Sequence, residues 1–275
     1  MRAATDAERE WLGEFLAFDD HTYNPQRDYR APLPKIPMFD ARASTFPTGF
    51  LTFVLKGAAE EKLRVDLVDQ RKRPPLDVNA DLAWLRDYQR GAVDGALTAG
   101  QGIIWAPTGS GKTEIAAGLV RRAPCKWLFL VHREQLVQDA ADRYKLRTGD
   151  TAGVIGGGQW NEGARLTCAT FQTLHLALGN AAHLHHAQAK ALVGSVQGFI
   201  ADEGHTLAAG TFWGVVMACT NAFYRIAMSG TPLDRADKRS LMVTAATGKI
   251  VARIKTETLI AAGALSKPRI RMVTC

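Results

Sequence analysis

Between an apolar triplet, Ile103-Ile104-Trp105, and a helix-forming run at 114–122, the chain carries Ala106-Pro107-Thr108-Gly109-Ser110-Gly111-Lys112-Thr113. Gly109 and Gly111 can take backbone angles closed to other residues, so successive N–H groups can turn inward around an anion. In such a cradle, formed by Thr108, Gly109, Ser110, Gly111, Lys112 and Thr113, the Lys112 ammonium would neutralise the β and γ phosphates of a nucleotide and the Thr113 hydroxyl would ligate magnesium. The start of the following helix adds free N–H groups and the positive end of its dipole. The spacing is that of a phosphate loop, with Ala106 where the general signature has glycine.

Holding a triphosphate is not hydrolysing it. Hydrolysis also requires a carboxylate for the magnesium and a group to orient the attacking water. Asp202-Glu203-Gly204-His205 follows the apolar stretch Phe199-Ile200-Ala201, which would bring both acids out at the carboxyl end of a buried strand, where open α/β sheets place their ligands. Asp202 is expected to hold the magnesium at one remove and Glu203 to activate water in line with the γ phosphate. Lys112 and Glu203 are therefore the candidate catalytic residues, Thr113 and Asp202 the candidate metal residues, and ATP with Mg2+ the implied cofactors.

Positioning these groups requires a layered fold. Apolar runs at 102–106, 127–131, 165–169, 199–201 and 224–228 read as buried strands and alternate with helical segments, which predicts an α/β domain with a mostly parallel sheet covered by helices on both faces. Upstream, Thr5-Asp6-Ala7-Glu8 has capping-box spacing and leads into a helix expected to end near Phe18. Proline-rich text at 19–47 predicts extended connections, residues 50–61 a helix, and 63–68 a half-buried strand, because apolar and charged residues alternate there. Together these predict a small α/β accessory domain over residues 1–75. The run Arg71-Lys72-Arg73-Pro74-Pro75 is the expected boundary, read as a solvated linker.

The formal charge of +7 and pI near 9.4 suit a polyanionic partner. Four scattered cysteines, Cys125, Cys168, Cys219 and Cys275, lack the paired spacing of a zinc site or disulfide framework. The first ten residues are polar, and no apolar run of about 18 residues occurs, so an intracellular protein that is neither secreted nor membrane-bound is expected.

With these motifs in hand, the chain resembles superfamily 2 helicases of the DEAD/DEAH type, closest to the XPB/UvsW-like branch, over about residues 85–272. Many helicases write the loop A-x-T-G-S-G-K-T, as here. The resemblance implies a RecA-like P-loop NTPase lobe over 76–265 and an ATP-dependent DNA helicase or translocase acting on duplex or branched DNA. Leu85-Arg86-Asp87-Tyr88-Gln89 is similar to the family's adenine-reading element, implying that Gln89 bonds the base and Arg86 packs beside it. The stretch 130–136 resembles motif Ia and implies DNA backbone contacts by Arg133. The stretch 168–174 resembles the strand-gripping motif and implies contacts by Thr170 and Gln172. Ser229-Gly230-Thr231 resembles motif III, whose hydroxyls, with His205, would couple hydrolysis to movement; Gly230 and Gly204 replace the commoner alanines. Phe46-Pro47-Thr48-Gly49-Phe50 is similar to the small domain that precedes the motor in this branch and grips DNA.

Family motors need two RecA-like lobes, with arginine fingers from the second. Residues 266–275 read as the start of a connection to that lobe, which must come in cis or from a partner in trans. By itself the chain is expected to bind ATP and turn it over slowly or not at all. Two alternative expectations stand beside the helicase: the motor part of a restriction system, and an ATP-binding DNA clamp without turnover. His175, His183, His185 and His186 are read as exposed helix or loop residues rather than metal ligands, Gly156-Gly157-Gly158 as a turn or a site of DNA approach, and Trp160 as the tryptophan to test for base stacking.

Overall fold

The protein was analysed as a computed structural model that describes residues 5–19, 32–203, 209–231 and 238–267. Gly204, His205, Pro232 and the strand expected at 269–275 lie outside the described residues, as do 20–31 of the proline-rich stretch.

The N-terminal elements are α1 (Asp6–Phe15), β1 (Ala17–Asp19), β2 (Lys35–Pro37), a single 3-10 turn at Thr48–Phe50 and α2 (Leu51–Glu60). Thr5 caps α1 through the capping box: its hydroxyl accepts from Glu8 N–H, and Glu8 accepts from Thr5 N–H in return. The helix ends three residues before the expected Phe18, because residues 17–19 leave it to pair antiparallel with 35–37. Leu16, Ile36, Met38, Phe50 and Val54 form a small core that also contains Ala245 of the main lobe. Contact with that lobe is close enough that a Cβ on Gly49 would collide with the Thr244 and Ala245 carbonyls.

Two sequence expectations for the region that follows do not hold. Residues 63–68 form no strand and stay exposed, with Leu67 at 56% and Val68 at 70%. Their alternation suits a strand, but among the described residues no strand pairs with them. In the run at 71–75 Pro74 is buried while its neighbours are exposed, and the run is fastened to the lobe rather than solvated throughout. Arg73 Nη2 donates to Leu97 O at 2.7 Å, Tyr224 donates to Pro74 O at 3.1 Å, and the Arg71 and Arg73 guanidiniums lie over the Phe223 ring.

The main lobe runs α3 (Asp87–Ala99), β3 (Gln101–Trp105), α4 (Lys112–Arg122), β4 (Trp127–Val131), α5 (Glu134–Thr148), β5 (Gly153–Gly156), β6 (Gln159–Asn161), β7 (Leu166–Thr170), α6 (Phe171–Gly179), α7 (His186–Ser195), β8 (Gly198–Asp202), α8 (Ala209–Ala218), β9 (Tyr224–Ser229), α9 (Lys238–Thr247), β10 (Ile250–Arg253) and α10 (Thr256–Ala261). Its eight strands are ordered β10-β3-β9-β8-β4-β7-β5-β6, and every described pairing is parallel except β5 with β6. The expected parallel α/β sheet is therefore present. The five expected strands are β3, β4, β7, β8 and β9; β5, β6 and β10 are additions at its two edges.

Alternate residues of β4 feed opposite cores, as the two-residue period of a strand requires. Trp127, Phe129 and Val131 pack with α3, α4 and α5 on one face, and Leu128 and Leu130 pack with α6, α7, α8 and α9 on the other. Because both faces are covered, β4 and β7 are buried at every position. No described helix is long and apolar enough to cross a membrane.

Candidate functional site

Parallel strands all point one way, so their carboxyl ends share an edge, and nearly every motif residue lies along it. β3 ends at Trp105 beside Ser229 of β9, Asp202 of β8 pairs with Met228, and Val131 of β4 pairs with Thr170 of β7. The 106–113 loop leaves that edge with Ala106 N–H bonded to Ser229 O at 2.8 Å. Gly109 (φ +83°) and Gly111 (φ +80°) sit in the left-handed region, which glycine enters without strain. Gly111 is the N-cap of α4 and carries no side chain, so the first N–H groups of the helix are uncapped and available to an anion.

Gln89 braces this loop from behind. Only 5% exposed, it accepts from Arg86 N–H at 2.9 Å through Oε1 and donates to Ser110 O at 2.9 Å through Nε2. One amide proton and one lone pair remain for any further partner. Arg86 caps α3 and stays exposed, with Nη1 3.5 Å from Ala262 O. The Ser110 hydroxyl is buried with no hydrogen-bond partner among the described residues.

Lys112 and the acidic pair, 90 residues apart in sequence, meet in space. Lys112 Nζ is hydrogen-bonded to Glu203 Oε1 and lies 3.9 Å from Asp202 Oδ1. Glu203 Oε1 also accepts from Gly230 N–H at 3.1 Å, which joins the end of β9 to the same carboxylate. Glu203 itself takes φ +49°, uncommon for a residue with a side chain and the kind of local strain that collects at working sites. A Cβ on Gly230 would stand 3.2 Å from Glu203 Oε1 and 3.6 Å from Lys112 Nζ, so the glycine leaves room where these three strands converge.

Burial raises the Asp202 carboxyl to a pKa of about 6, opposed by the Lys112 charge and reinforced by that of Glu203. Its Oδ1 is buried and accepts no hydrogen bond among the described residues. A desolvated, unbonded carboxylate oxygen facing the loop is a fitting donor for a divalent cation, whose charge would relieve both deficits. Ser229, 2% exposed, donates from Oγ to Thr231 O at 3.1 Å and accepts from Thr231 N–H at 3.3 Å.

Farther along the edge, Arg133 and Thr170 are the N-caps of α5 and α6. Arg133 is exposed, whereas Thr170 is buried and its hydroxyl accepts from Thr173 N–H at 3.2 Å. Gln172 donates to His132 O at 3.2 Å and remains exposed. His132 is the residue at this site that the sequence did not single out. Burial first, then the Arg133 charge, lowers its pKa, while Glu203 raises it and Lys112 lowers it again, so its ring senses both the exposed rim and the acidic pair. Its place at the end of β4, the strand beside β8, was the available signal. Trp160 has one face covered by His185, stacked at 4.4 Å and 8°, and its Nε1 is buried without a partner among the described residues.

Residues 83–234, more than half of the chain, match the family model described as "Type III restriction enzyme, res subunit". Among characterised proteins, the DNA 3'-5' translocase XPB2 of Sulfurisphaera tokodaii is 28% identical over 185 residues, covering 67% of this chain and 39% of that protein. The DNA 3'-5' helicase XPB of Mycobacterium tuberculosis is 30% identical over 102 residues, covering 36% of this chain and 19% of that protein. The chain thus spans at most about two fifths of these relatives. Among solved structures, the UvsW helicase of bacteriophage T4 superposes with a TM-score of 0.71 at 20% identity, covering 92% of this chain and 95% of that one, a likeness of fold.

Proposed function

The chain belongs to the type III restriction enzyme res subunit family, and from that premise we propose that it is the ATP-binding lobe of an ATP-dependent DNA helicase or translocase. The observation that carries the reading is the meeting of Lys112 with Glu203 and Asp202 at the mouth of an uncapped glycine loop. Glycine N–H groups and the start of α4 would bind the β and γ phosphates, and Lys112 would exchange its carboxylate partner for the γ phosphate. Asp202 and the Thr113 hydroxyl would hold Mg2+, which when bound neutralises charge developing on the transferred phosphoryl group. Released from Lys112, Glu203 would orient and deprotonate the attacking water.

Because Gly230 N–H reaches the same Glu203 oxygen, a change in that carboxylate is felt directly by the Ser229–Thr231 turn, a short route from hydrolysis to movement. Arg133, Thr170 and Gln172 would contact the DNA backbone along the rim, His205 would link the two sites, and a second RecA-like lobe in cis or in trans would supply the arginine fingers. Residues 1–75 would serve as the accessory unit, and residues 266–275 would begin the connection to the second lobe. A restriction motor remains the second reading, favoured by the description of the matched family. Retention of Lys112, Asp202 and Glu203 speaks against a clamp without turnover.

The test is magnesium-dependent ATP binding by calorimetry. Lys112→Ala is expected to weaken ATP roughly tenfold to a hundredfold, the range for lost hydrogen bonds to a charged group. Equal affinity in the two proteins would remove the phosphate contact and with it the motor reading.

A further inference from the structure

We infer that residues 63–67 are a pairing strand for a second copy of this chain, joined antiparallel about a two-fold axis through Val65. The stretch Leu63-Arg64-Val65-Asp66-Leu67 is exposed along its whole length, with Leu63 at 39%, Val65 at 48% and Leu67 at 56%. From 63 to 77 the chain makes no helix, turn or bend, and among the described residues no backbone group of 64–68 has a hydrogen-bond partner. Open donors and acceptors beside exposed apolar side chains are a template for another strand.

Both ends of the stretch are held. Leu63 N–H donates to Ala58 O of α2 at 2.7 Å. Beyond Val68, Arg71 donates to Asp69 at 2.8 and 3.0 Å while its guanidinium lies 5.1 Å from the centre of the Phe223 ring. The stretch is thus presented between two anchors, which lowers the ordering cost of pairing. Leu67 and Val68 border a cleft with Gln197 and Asn221, at the amino ends of β8 and β9. That edge is opposite the glycine loop, so the inference is independent of the nucleotide reading.

The order of residues selects the occupant. About an axis through Val65, Leu63 faces the partner's Leu67, Arg64 faces the partner's Asp66, and Val65 faces the partner's Val65. Apolar side chains then share one side of the ribbon and two opposite-charge pairs share the other. Moving the axis by one residue sets arginine against arginine or aspartate against aspartate, and an axis between residues sets charged positions against apolar ones. One register therefore satisfies the whole stretch, as a self-complementary two-fold contact requires. Within one copy, Arg64 and Asp66 lie 3.8 Å apart with side chains 91% and 83% exposed, a pair that water screens. Five residues a side cover far less than the roughly 800 Å² per partner of a stable complex, so the dimer is weak and concentration-dependent.

Cysteine cross-linking tests the register, in a Cys275→Ser background whose three other native cysteines are buried. Val65→Cys is expected to form a disulfide dimer under mild oxidation, because facing residues stand about 4.5–5.5 Å apart at Cα. Arg64→Cys and Asp66→Cys should each stay largely monomeric alone and cross-link when mixed. Equal cross-linking of all three alone would mean random collision, and none in any of them would mean no pairing; either result overturns the inference. Sedimentation of the unaltered chain should show a dimer that grows with concentration, is weakened about tenfold or more by Asp66→Arg, and returns when Arg64→Asp is added to that variant. The substituted side chains are exposed, so the fold is expected to persist. A monomer at every concentration, a dimer indifferent to Asp66→Arg, or one that the charge-swapped double variant does not restore overturns it as well.

Discussion

Asp202 carries a conflict that its chemistry explains. Without metal, its buried carboxylate is ionised at a cost, which is why burial lifts its pKa to about 6, above the unfolded value of about 3.9. For an acid shifted upward, the native state is favoured while the group is protonated in both states. That contribution is lost as pH rises through the folded pKa. In EDTA and without nucleotide, Asp202→Asn should therefore melt higher than the native protein at pH 8, by on the order of 1–3 kcal/mol, and the gap should shrink as pH falls from 6 towards 4. Lys112 keeps its Glu203 partner in that variant, so no orphaned ammonium offsets the gain. Thermal melts across this pH range check it, and a variant that melts lower at pH 8 would show that Asp202 contributes favourably without metal. The same variant should lose magnesium-dependent ATP binding, the signature of a residue held for function at the expense of stability.

Among the elements, α8 and α9 are tied together by one buried side chain. Arg225, at the start of β9 and 7% exposed, donates to Ala246 O at 2.9 Å and to Cys219 O and Val216 O at 3.1 Å each, with its guanidinium over Phe199. The Val216 and Ala246 carbonyls belong to the last turns of the two helices and Cys219 follows α8 directly, where the ladder leaves acceptors open. α8 follows the acidic pair and α9 follows the Ser229–Thr231 turn, so Arg225 fixes the far ends of the two elements that carry those loops. Arg225→Met should cost roughly 2–4 kcal/mol in urea denaturation, because buried carbonyls lose charged donors and nothing polar replaces them. A loss below about 1 kcal/mol would show that water reaches the three carbonyls. On the opposite face, Glu114 accepts from Arg147 at 2.8 and 2.9 Å and lies 3.3 Å from Arg143, joining the first turn of α4 to α5.

For the whole molecule, the N-terminal unit is part of the packing of the lobe as well as a neighbour to it. Ala245 of α9 is fully buried in the core of that unit, and Trp213, Leu241 and Met242 pack against the same cluster. Removing residues 1–60 should therefore lower the melting temperature and increase binding of a hydrophobic dye, because an apolar stripe of α9 becomes exposed. An unchanged melt would mean that the unit rides on the lobe without supporting it. Any loss of DNA binding on the same deletion has to be measured below the new melting point, where folding and recognition separate.

The glycine loop, the acidic pair and the parallel α/β plan were legible in the residues themselves, because each is local. Two glycines before Lys112 set a turn, and apolar runs too short to be helices mark buried strands. Residues 63–68 mislead for the complementary reason: alternation specifies a face, while a strand also needs an edge to pair with, and among the described residues these pair with none. β5 and β10 escaped notice because one ends in the glycine run that begins at Gly156 and the other is four residues long, so pairing with β7 and β3 rather than propensity makes them strands. Only tertiary structure could decide that Glu203 and Gly230 share one oxygen with Lys112, that Gln89 faces inward, and that Leu265 rests on Gly109. Those contacts join residues tens to more than a hundred positions apart, and the order of strands in the sheet, which composition does not encode locally, determines which of them meet.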